Sequence, residues 1–262
     1  MADLQVISAE LQNIAEIELN EIPQRVKDDI AYIRKWLTEQ HHLIARTDDH
    51  TLLIFLRNCK FSLEKTKAKI DSYYTIKSTF PKLFKNRDPF QPQIQNVLRN
   101  NLVSFLPKVS NGPVLLLVRL ANANPDVVLA EDALKTGLLL ADICLQHHVD
   151  SSIVGHALLA DFKDLPMKYL LQVTPALLKT VATCFVNVFP LSMKALCFIN
   201  LPLPLVAASN IFKSFLSSKL QDKVITQRPR PIRHPPPTLH PSTQSRHVRS
   251  RHKATRYKEN DV

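Results

Sequence analysis

The sequence predicts an α/β fold, in which an N-terminal helical module precedes a mostly parallel sheet flanked by helices. Two continuous apolar runs, Ala157–Ala160 and Ala195–Ile199, are typical of strands that are buried on both faces. Between them, Thr174 and Pro175 predict the start of a helix, which has to end by Phe189 because a proline follows. A strand–helix–strand unit of this length predicts two parallel strands joined by a right-handed crossover.

A helical module is predicted before the sheet, over residues 9–79. Apolar side chains recur at helical spacing in its second helix, at Val26, Ile30, Ile33 and Leu37. Thr47 and Ser62 are suitable N-caps for two further helices. The turn-rich stretch 86–92 predicts a linker to the sheet.

The remaining core elements are predicted from short apolar runs and from one long amphipathic pattern. Strands are expected at Leu102–Leu106 and Val114–Leu120, and helices at Glu131–Gln146 and Leu203–Leu216. The same apolar spacing would suit ordinary core packing, so it does not by itself predict a ligand cavity.

The composition changes at residue 225, where a basic, proline-rich tail begins. Residues 225–262 contain six prolines, seven arginines and four histidines, and they carry +7 of the net charge of +11. Such a segment cannot offset its ordering entropy through a core, so we expect it to be disordered and to add no strand. Three parts are therefore predicted, a helical module at 1–90, a sheet domain at 91–224 and a disordered tail at 225–262.

Several function classes are disfavoured by what the sequence lacks. Three glycines cannot form a glycine-rich phosphate loop, and the four cysteines have no CxxC spacing, which is typical of reduced thiols. The neighbours Cys144, His147, His148 and Asp150 do not make a four-ligand metal pattern. No acid–base pair, signal peptide or membrane-spanning run is evident. We expect a cytoplasmic protein with no catalytic residue, metal or cofactor.

Three stretches of the chain resemble a known family: DDHTLLIFLRNCKFSLEKTKAKI, LLADFKDLPMKYLLQVTPALLK and VFPLSMKALCFINLPLP. They are similar to the CRAL-TRIO (Sec14-like) lipid-binding family, and within it to the branch of alpha-tocopherol and retinaldehyde carriers. The resemblance covers roughly residues 9–224 in one collinear order. It implies a sheet floor and surrounding helices that enclose one lipid, with Leu203–Leu216 as a mobile lid and no reaction catalysed.

The resemblance also implies which residues contact the lipid and the membrane. The pocket wall should include Leu134, Gly137, Ala141, Met167, Val173, Val181, Cys184, Phe185, Phe189, Leu191 and Leu196. Basic residues that hold a phosphoinositide headgroup match Lys194, Lys219 and Lys223, whereas a fourth basic position falls on Ser192. Gly137 and Ala141 stand where tocopherol carriers have hydroxyl side chains, which removes hydrogen-bond partners for tocopherol.

The predicted function is the binding and intermembrane transfer of a hydrophobic lipid, which could be tocopherol-like, retinoid-like or another lipid. Its expected partners are that lipid and, peripherally, a phosphoinositide-containing membrane surface, with no specific nucleic acid. Two alternatives remain open at this point: an adaptor that uses the domain only to sit on membranes, and an isoform that has lost ligand exchange. On composition alone, the three lysines would be ordinary solvated side chains.

Overall fold

The computed structural model describes residues 7–107, 111–121, 123–148 and 150–228. Its centre is a single five-stranded sheet in which the strands follow each other in chain order. The first strand is antiparallel to the second, and the other neighbours are parallel. The strands are β1 (Val103–Phe105), β2 (Val114–Arg119), β3 (His156–Asp161), β4 (Met193–Ile199) and β5 (Val224–Thr226). This arrangement confirms the predicted α/β class.

Six helices precede the sheet in the part of the chain that the structure describes. They are α1 (Ala9–Leu19), α2 (Val26–Thr38), α3 (Asp49–Asn58), α4 (Leu63–Thr79), α5 (Pro81–Phe84) and α6 (Pro92–Arg99). Ser62 is the N-cap of α4, as predicted, although its side chain makes no capping hydrogen bond. The prediction of Thr47 as the cap of α3 is wrong. Asp48 takes that place, because its carboxylate accepts a hydrogen bond of 3.0 Å from the Thr51 backbone N–H.

Within the described ranges, six further α-helices and one π-helical segment accompany the sheet. They are α7 (Ala130–His147), α8 (Ser151–Val154), α9 (Lys168–Gln172), α10 (Pro175–Val181), the π-helical segment Ala182–Val188, α11 (Leu203–Ser214) and α12 (Ser218–Gln221). Thr174 caps α10 as predicted, since its hydroxyl accepts a hydrogen bond of 3.2 Å from the Leu177 N–H. The helix expected to run to Phe189, however, changes to π geometry after α10.

The parallel pair β3 and β4 forms the middle of the sheet, as the two apolar runs predicted. Both strands extend beyond those runs, to His156 and Met193 at one end. Gly155 allows β3 to begin so close to β4, because its φ is 82° and a Cβ there would lie 2.6 Å from the Ser192 carbonyl oxygen. Any other residue would be strained at this position.

The predicted end of the sheet domain at residue 224 is corrected by the structure. Ile225 and Thr226 belong to β5, which pairs with β4 opposite Cys197 and Phe198. The Gln227 backbone N–H also donates to the Phe198 carbonyl oxygen at 2.8 Å. The expectation that nothing after residue 224 joins the sheet is therefore wrong for these first residues. The rest of the predicted tail, 229–262, lies outside the described residues.

The helices α2 to α6 share an apolar core with the sheet domain, whereas α1 packs on α8 through a separate small cluster. Buried polar contacts reinforce this packing. The Arg57 guanidinium on α3 donates to both carboxylate oxygens of Glu21 at 2.8 and 3.0 Å, and to the Ser152 hydroxyl on α8 at 3.1 Å. Further along, the Tyr73 hydroxyl on α4 donates to the Asp142 carboxylate on α7 at 2.6 Å. Among the described residues, no helix is long and apolar enough to cross a membrane.

Candidate functional site

A cavity of about 210 Å³ lies between the sheet and the helices that cover one of its faces. The register of the sheet builds its floor, because Val118, Ala160 and Phe198 stand in one row across β2, β3 and β4. The helices α7, α10 and α11 and the π-helical segment supply most of the remaining wall. The lining residues are Leu116, Val118, Leu120, Ala130, Ala133, Leu134, Gly137, Leu158, Ala160, Phe162, Val173, Leu177, Leu178, Val181, Phe185, Phe198, Leu201, Leu205, Ala208, Ser209 and Phe212.

The wall of this cavity is almost entirely apolar. Ser209 is the one residue with a polar side chain among those that line it in the described part of the chain. Its hydroxyl already donates to the Val206 carbonyl oxygen at 2.7 Å, so its donor is used within α11. Such a wall offers a ligand apolar contact at roughly 25 cal/mol per Å² buried, and no charge.

Five of the eleven residues predicted for the pocket line this cavity, namely Leu134, Gly137, Val173, Val181 and Phe185. Ala141 and Leu191 line a second, smaller chamber instead. The other four lie outside the cavity wall. Met167 is 69% exposed at the N-cap of α9, and Phe189 is buried against the rings of Tyr73 and Phe84. Cys184 and Leu196 are fully buried within the core.

None of the five strand residues that line the cavity in the described part of the chain was predicted from the sequence. An apolar run such as Leu158–Ala160 shows that a strand is buried, but it does not show which face meets a void and which meets packed side chains. The α11 residues Leu205, Ala208 and Phe212 lie at helical spacing on the covering face. That periodicity was visible in the sequence and indicated the lid as an element.

The second chamber, of about 10 Å³, adjoins the cavity. Leu116 and Phe185 line both spaces, so these two side chains form part of the partition between them. Phe185 comes from the π-helical segment, a geometry that is frequent at functional sites. The complete wall of the chamber is Phe105, Leu116, Ala141, Cys144, His156, Ala157, Phe185, Leu191 and Met193.

The chamber contains a buried cysteine and a buried histidine, and both are uncharged near neutral pH. The His156 Nε2 lies 3.8 Å from the Cys144 Sγ. Burial lowers the pKa of His156 to about 4 and raises the pKa of the Cys144 thiol. A thiolate nucleophile requires the opposite shifts, so this pair does not resemble the activated Cys–His pair of a hydrolase.

The three lysines predicted for a headgroup site are brought together near the N-terminal module. Burial lowers the pKa of Lys223, and the neighbouring charges of Lys219, Lys194 and Lys60 lower it further. The Lys223 ammonium donates to the Met193 carbonyl oxygen, and the Lys194 ammonium forms an ion pair of 2.8 Å with Glu18. Ser192, where a fourth basic residue was missing, accepts a hydrogen bond of 3.3 Å from the Asn58 amide.

Lys219 also lines an open groove of about 650 Å³ that the sequence did not predict. Three further lysines, Lys60, Lys65 and Lys69, line it together with neutral residues, and no carboxylate does within the described ranges. We call this surface the basic groove. Its lysines come from the α3–α4 region and from α12, far apart in sequence, so no local pattern connects them.

Comparison with known proteins assigns the family. Residues 99–230, just over half of the chain, match the family model described as CRAL/TRIO domain. The chain belongs to the CRAL/TRIO family. The matched range includes β5, and residues 22–94 match a second model, described as Pinta-like, UBA domain. Membership confirms the resemblance at the level of the family and implies a lipid-binding domain. The assignment to the tocopherol-carrier branch stays a prediction.

Curated relatives of this CRAL/TRIO protein include the clavesins. It is 26% identical to Clavesin-1 from Xenopus laevis over 210 residues, which are 79% of this chain and 63% of that protein. It is 24% identical to Clavesin-2 from Homo sapiens over 220 residues, which are 83% of this chain and 67% of that protein. The chain thus spans about two thirds of the length of these relatives. A crystal structure of Sfh5 aligns with a TM-score of 0.49 and 14% identity, over 86% of this chain and 82% of that one.

Proposed function

We propose that the protein is a lipid carrier, which binds one hydrophobic lipid without covalent chemistry and exchanges it at a membrane. The observation that carries the proposal is the apolar cavity between the sheet and α11. Water is poorly accommodated in a void with an apolar wall, because it finds no hydrogen-bond partners there. A lipid tail, in contrast, gains free energy from each apolar contact with the wall. The family supports this assignment, because CRAL/TRIO domains are lipid-binding domains.

The size of the cavity requires that the wall move when ligand enters. Ligand pockets typically have volumes of roughly 300–1,000 Å³, whereas this cavity has about 210 Å³. The wall element best placed to move is α11, since it is a terminal element of the cover and presents Leu205, Ala208 and Phe212 to the void. The opposite wall is the sheet, whose strands are held by their hydrogen-bonded ladders.

Native mass spectrometry of the purified full-length chain tests the carrier function directly. We expect the protein to retain a co-purified or added lipid at one molecule per chain. Val181→Trp should abolish loading, because the indole would fill the cavity from α10. Val127→Trp is the matched control, since Val127 is 56% exposed and lies outside the wall. Full loading of a folded Val181→Trp protein would place the ligand elsewhere.

We further propose that the membrane is recognised by its phosphoinositides, which bind at Lys194, Lys219 and Lys223, with Lys60 as an additional contact. Mutual repulsion among these ammonium groups supports the proposal, because an anionic headgroup would relieve it. The neighbouring basic groove is wide enough to admit a headgroup from solvent. Near a membrane surface each lysine contributes about 1 kcal/mol, and salt screens this contribution.

Vesicle binding tests this second step. Replacing Lys194, Lys219 and Lys223 together by alanine should weaken binding to phosphoinositide vesicles by roughly 100-fold, because about 3 kcal/mol of attraction is lost. Binding to neutral vesicles should change little. The matched control replaces Lys27, Lys35 and Lys82, three exposed lysines outside the basic groove, and removes the same charge. Equal losses in the two triple variants would show that net charge, not this site, attracts the protein.

A further inference from the structure

His156 is a buried polar side chain with an unused hydrogen-bonding atom. The residue is only 6% exposed, and its Nδ1 has no hydrogen-bond partner among the described residues. Buried polar groups are nearly always paired, and leaving one unpaired costs free energy. Since His156 lines the second chamber, its unpaired Nδ1 is available to a group that enters from outside the chain.

The chamber that His156 lines lies next to the lipid cavity. Leu116 and Phe185 border both spaces, so a ligand that reaches from one space into the other has to displace one of these side chains. At about 10 Å³ the chamber holds no more than about one water-sized group. This is the size of the terminal hydroxyl of a lipid, or of the water molecule that the hydroxyl would displace.

We propose that this chamber is the polar end of the lipid cavity, where the His156 Nδ1 forms a hydrogen bond with the hydroxyl group of an uncharged lipid. The inference rests on the proposed carrier function and specifies the ligand class, a lipid alcohol. The apolar part of the ligand then lies against the sheet and α11, and its hydroxyl passes Phe185 to reach β3.

The chemistry of the chamber favours a hydroxyl. Nε2 faces the Cys144 Sγ, and either atom can carry the hydrogen of that contact. His156 consequently offers Nδ1 as an acceptor in one tautomer and as an N–H donor in the other. A hydroxyl group can pair with both. A carbonyl oxygen or an ether could pair only with the donor.

The surroundings of His156 disfavour a charged headgroup. The only other titratable side chain that lines the chamber, among the described residues, is Cys144, and burial raises the pKa of its thiol. Burial also keeps His156 neutral at pH 7, since it lowers the pKa to about 4. A carboxylate or phosphate would therefore enter without a counter-charge, which is strongly unfavourable in an apolar site.

Displacement of a fluorescent hydrocarbon, diphenylhexatriene, from the delipidated full-length chain tests the proposal. Dodecanol, dodecane and dodecanoate are the competitors, matched in chain length. We expect dodecanol to compete at roughly fivefold to tenfold lower concentration than dodecane, the range expected for one buried hydrogen bond, and dodecanoate to compete no better than dodecanol. In His156→Phe, dodecanol and dodecane should become equivalent, while the thermal midpoint is unchanged or higher because an unpaired polar group is gone. His147→Phe, at an exposed position on α7, should retain the preference.

The outcomes separate this inference from the carrier function. If the unmodified protein binds dodecanol and dodecane equally, the chamber is not a polar subsite, although the carrier function stands. A clear preference for dodecanoate would also overturn the inference, since the ligand class would be an acid. Failure of the probe and of all three competitors to bind would instead contradict the carrier function itself. The comparison of alcohol with alkane needs no variant, so it holds even if His156→Phe does not fold.

Discussion

At the scale of single residues, two buried polar side chains, Arg57 and His156, differ in how fully their hydrogen-bonding atoms are paired. The Arg57 guanidinium is paired with the Glu21 carboxylate and also donates a hydrogen bond to the Ser152 hydroxyl. It therefore connects three segments of the chain. Among the described residues, the His156 side chain has one polar contact, to Cys144, and its Nδ1 has no partner. Arg57 is therefore expected to serve stability, whereas His156 costs stability and is better explained by binding.

The Arg57–Glu21 pair gives a first prediction about stability. Glu21→Gln should destabilise the protein by about 3–5 kcal/mol, because the guanidinium would remain buried without its counter-charge. Chemical denaturation of the full-length chain measures this loss. The same carboxylate-to-amide change in an exposed ion pair, Asp126→Asn beside Lys168, should cost less than about 1 kcal/mol. Similar losses in the two variants would contradict a special role for the buried pair.

His156 predicts how stability depends on pH. Its pKa falls from 6.5 in the unfolded chain to about 4 in the folded protein, so between these values the unfolded state binds the extra proton. The free energy of unfolding should therefore drop as the pH falls through this window, by about 3 kcal/mol from this residue. Denaturation at pH 7 and at pH 4.5 should show a smaller difference in His156→Phe. An identical pH dependence in both proteins would mean that folding does not lower the pKa of His156.

At the scale of secondary-structure elements, β5 shows how composition can hide a strand. The stretch Val224–Thr226 contains three β-branched residues, which is a strand signal, but it runs directly into a segment rich in proline and arginine. The polar character of that segment led to the prediction that the sheet ends before it. β4 has a free edge, however, and three residues are enough to pair with it.

β5 gives a prediction that isolates one backbone hydrogen bond. In Gln227→Pro the N–H that donates to the Phe198 carbonyl oxygen is absent, so the strand should lose about 1–3 kcal/mol of stability. Gln227→Ala keeps the N–H and serves as the control. Thermal unfolding of both variants in the full-length chain provides the comparison. If the proline variant is as stable as the alanine variant, β5 contributes nothing to the fold.

The sequence predicted elements better than it predicted the site. Apolar runs and caps located β3, β4 and α10, because burial on both faces and the Thr174–Pro175 start leave a local record in the chain. The change to π geometry at Ala182 has no such record in the apolar spacing or the caps of this stretch. The basic groove was missed for a similar reason, because Lys60 and Lys219 are adjacent only in the folded chain.

At the scale of the whole molecule, the proposed lid and the proposed headgroup site are continuous in the chain. The helix α11 covers the cavity, and Lys219 on α12 and Lys223 follow it within ten residues. A headgroup that binds these lysines would contact the segment that directly follows α11, the proposed lid. If the open form binds the membrane more tightly than the closed form, the membrane shifts the population towards opening.

This coupling predicts the kinetics of lipid transfer. Loaded protein should release its lipid faster to acceptor vesicles that contain phosphoinositides than to neutral vesicles. The advantage should shrink as salt is raised, because screening weakens attraction between exposed charges beyond about 10 Å at 0.1 M ionic strength. A fluorescent lipid alcohol, transferred from the full-length protein to vesicles that carry a quencher, reports the rate.

Two variants decide whether the advantage comes from the lysines or from the membrane alone. Alanine at Lys194, Lys219 and Lys223 should reduce transfer to phosphoinositide vesicles to the rate seen with neutral ones, while affinity for the lipid in solution stays the same. The control triple variant at Lys27, Lys35 and Lys82 should keep most of the advantage. A variant that binds phosphoinositide vesicles poorly but still transfers at the full rate would disconnect the headgroup site from the lid, since opening would then need no contact at these lysines.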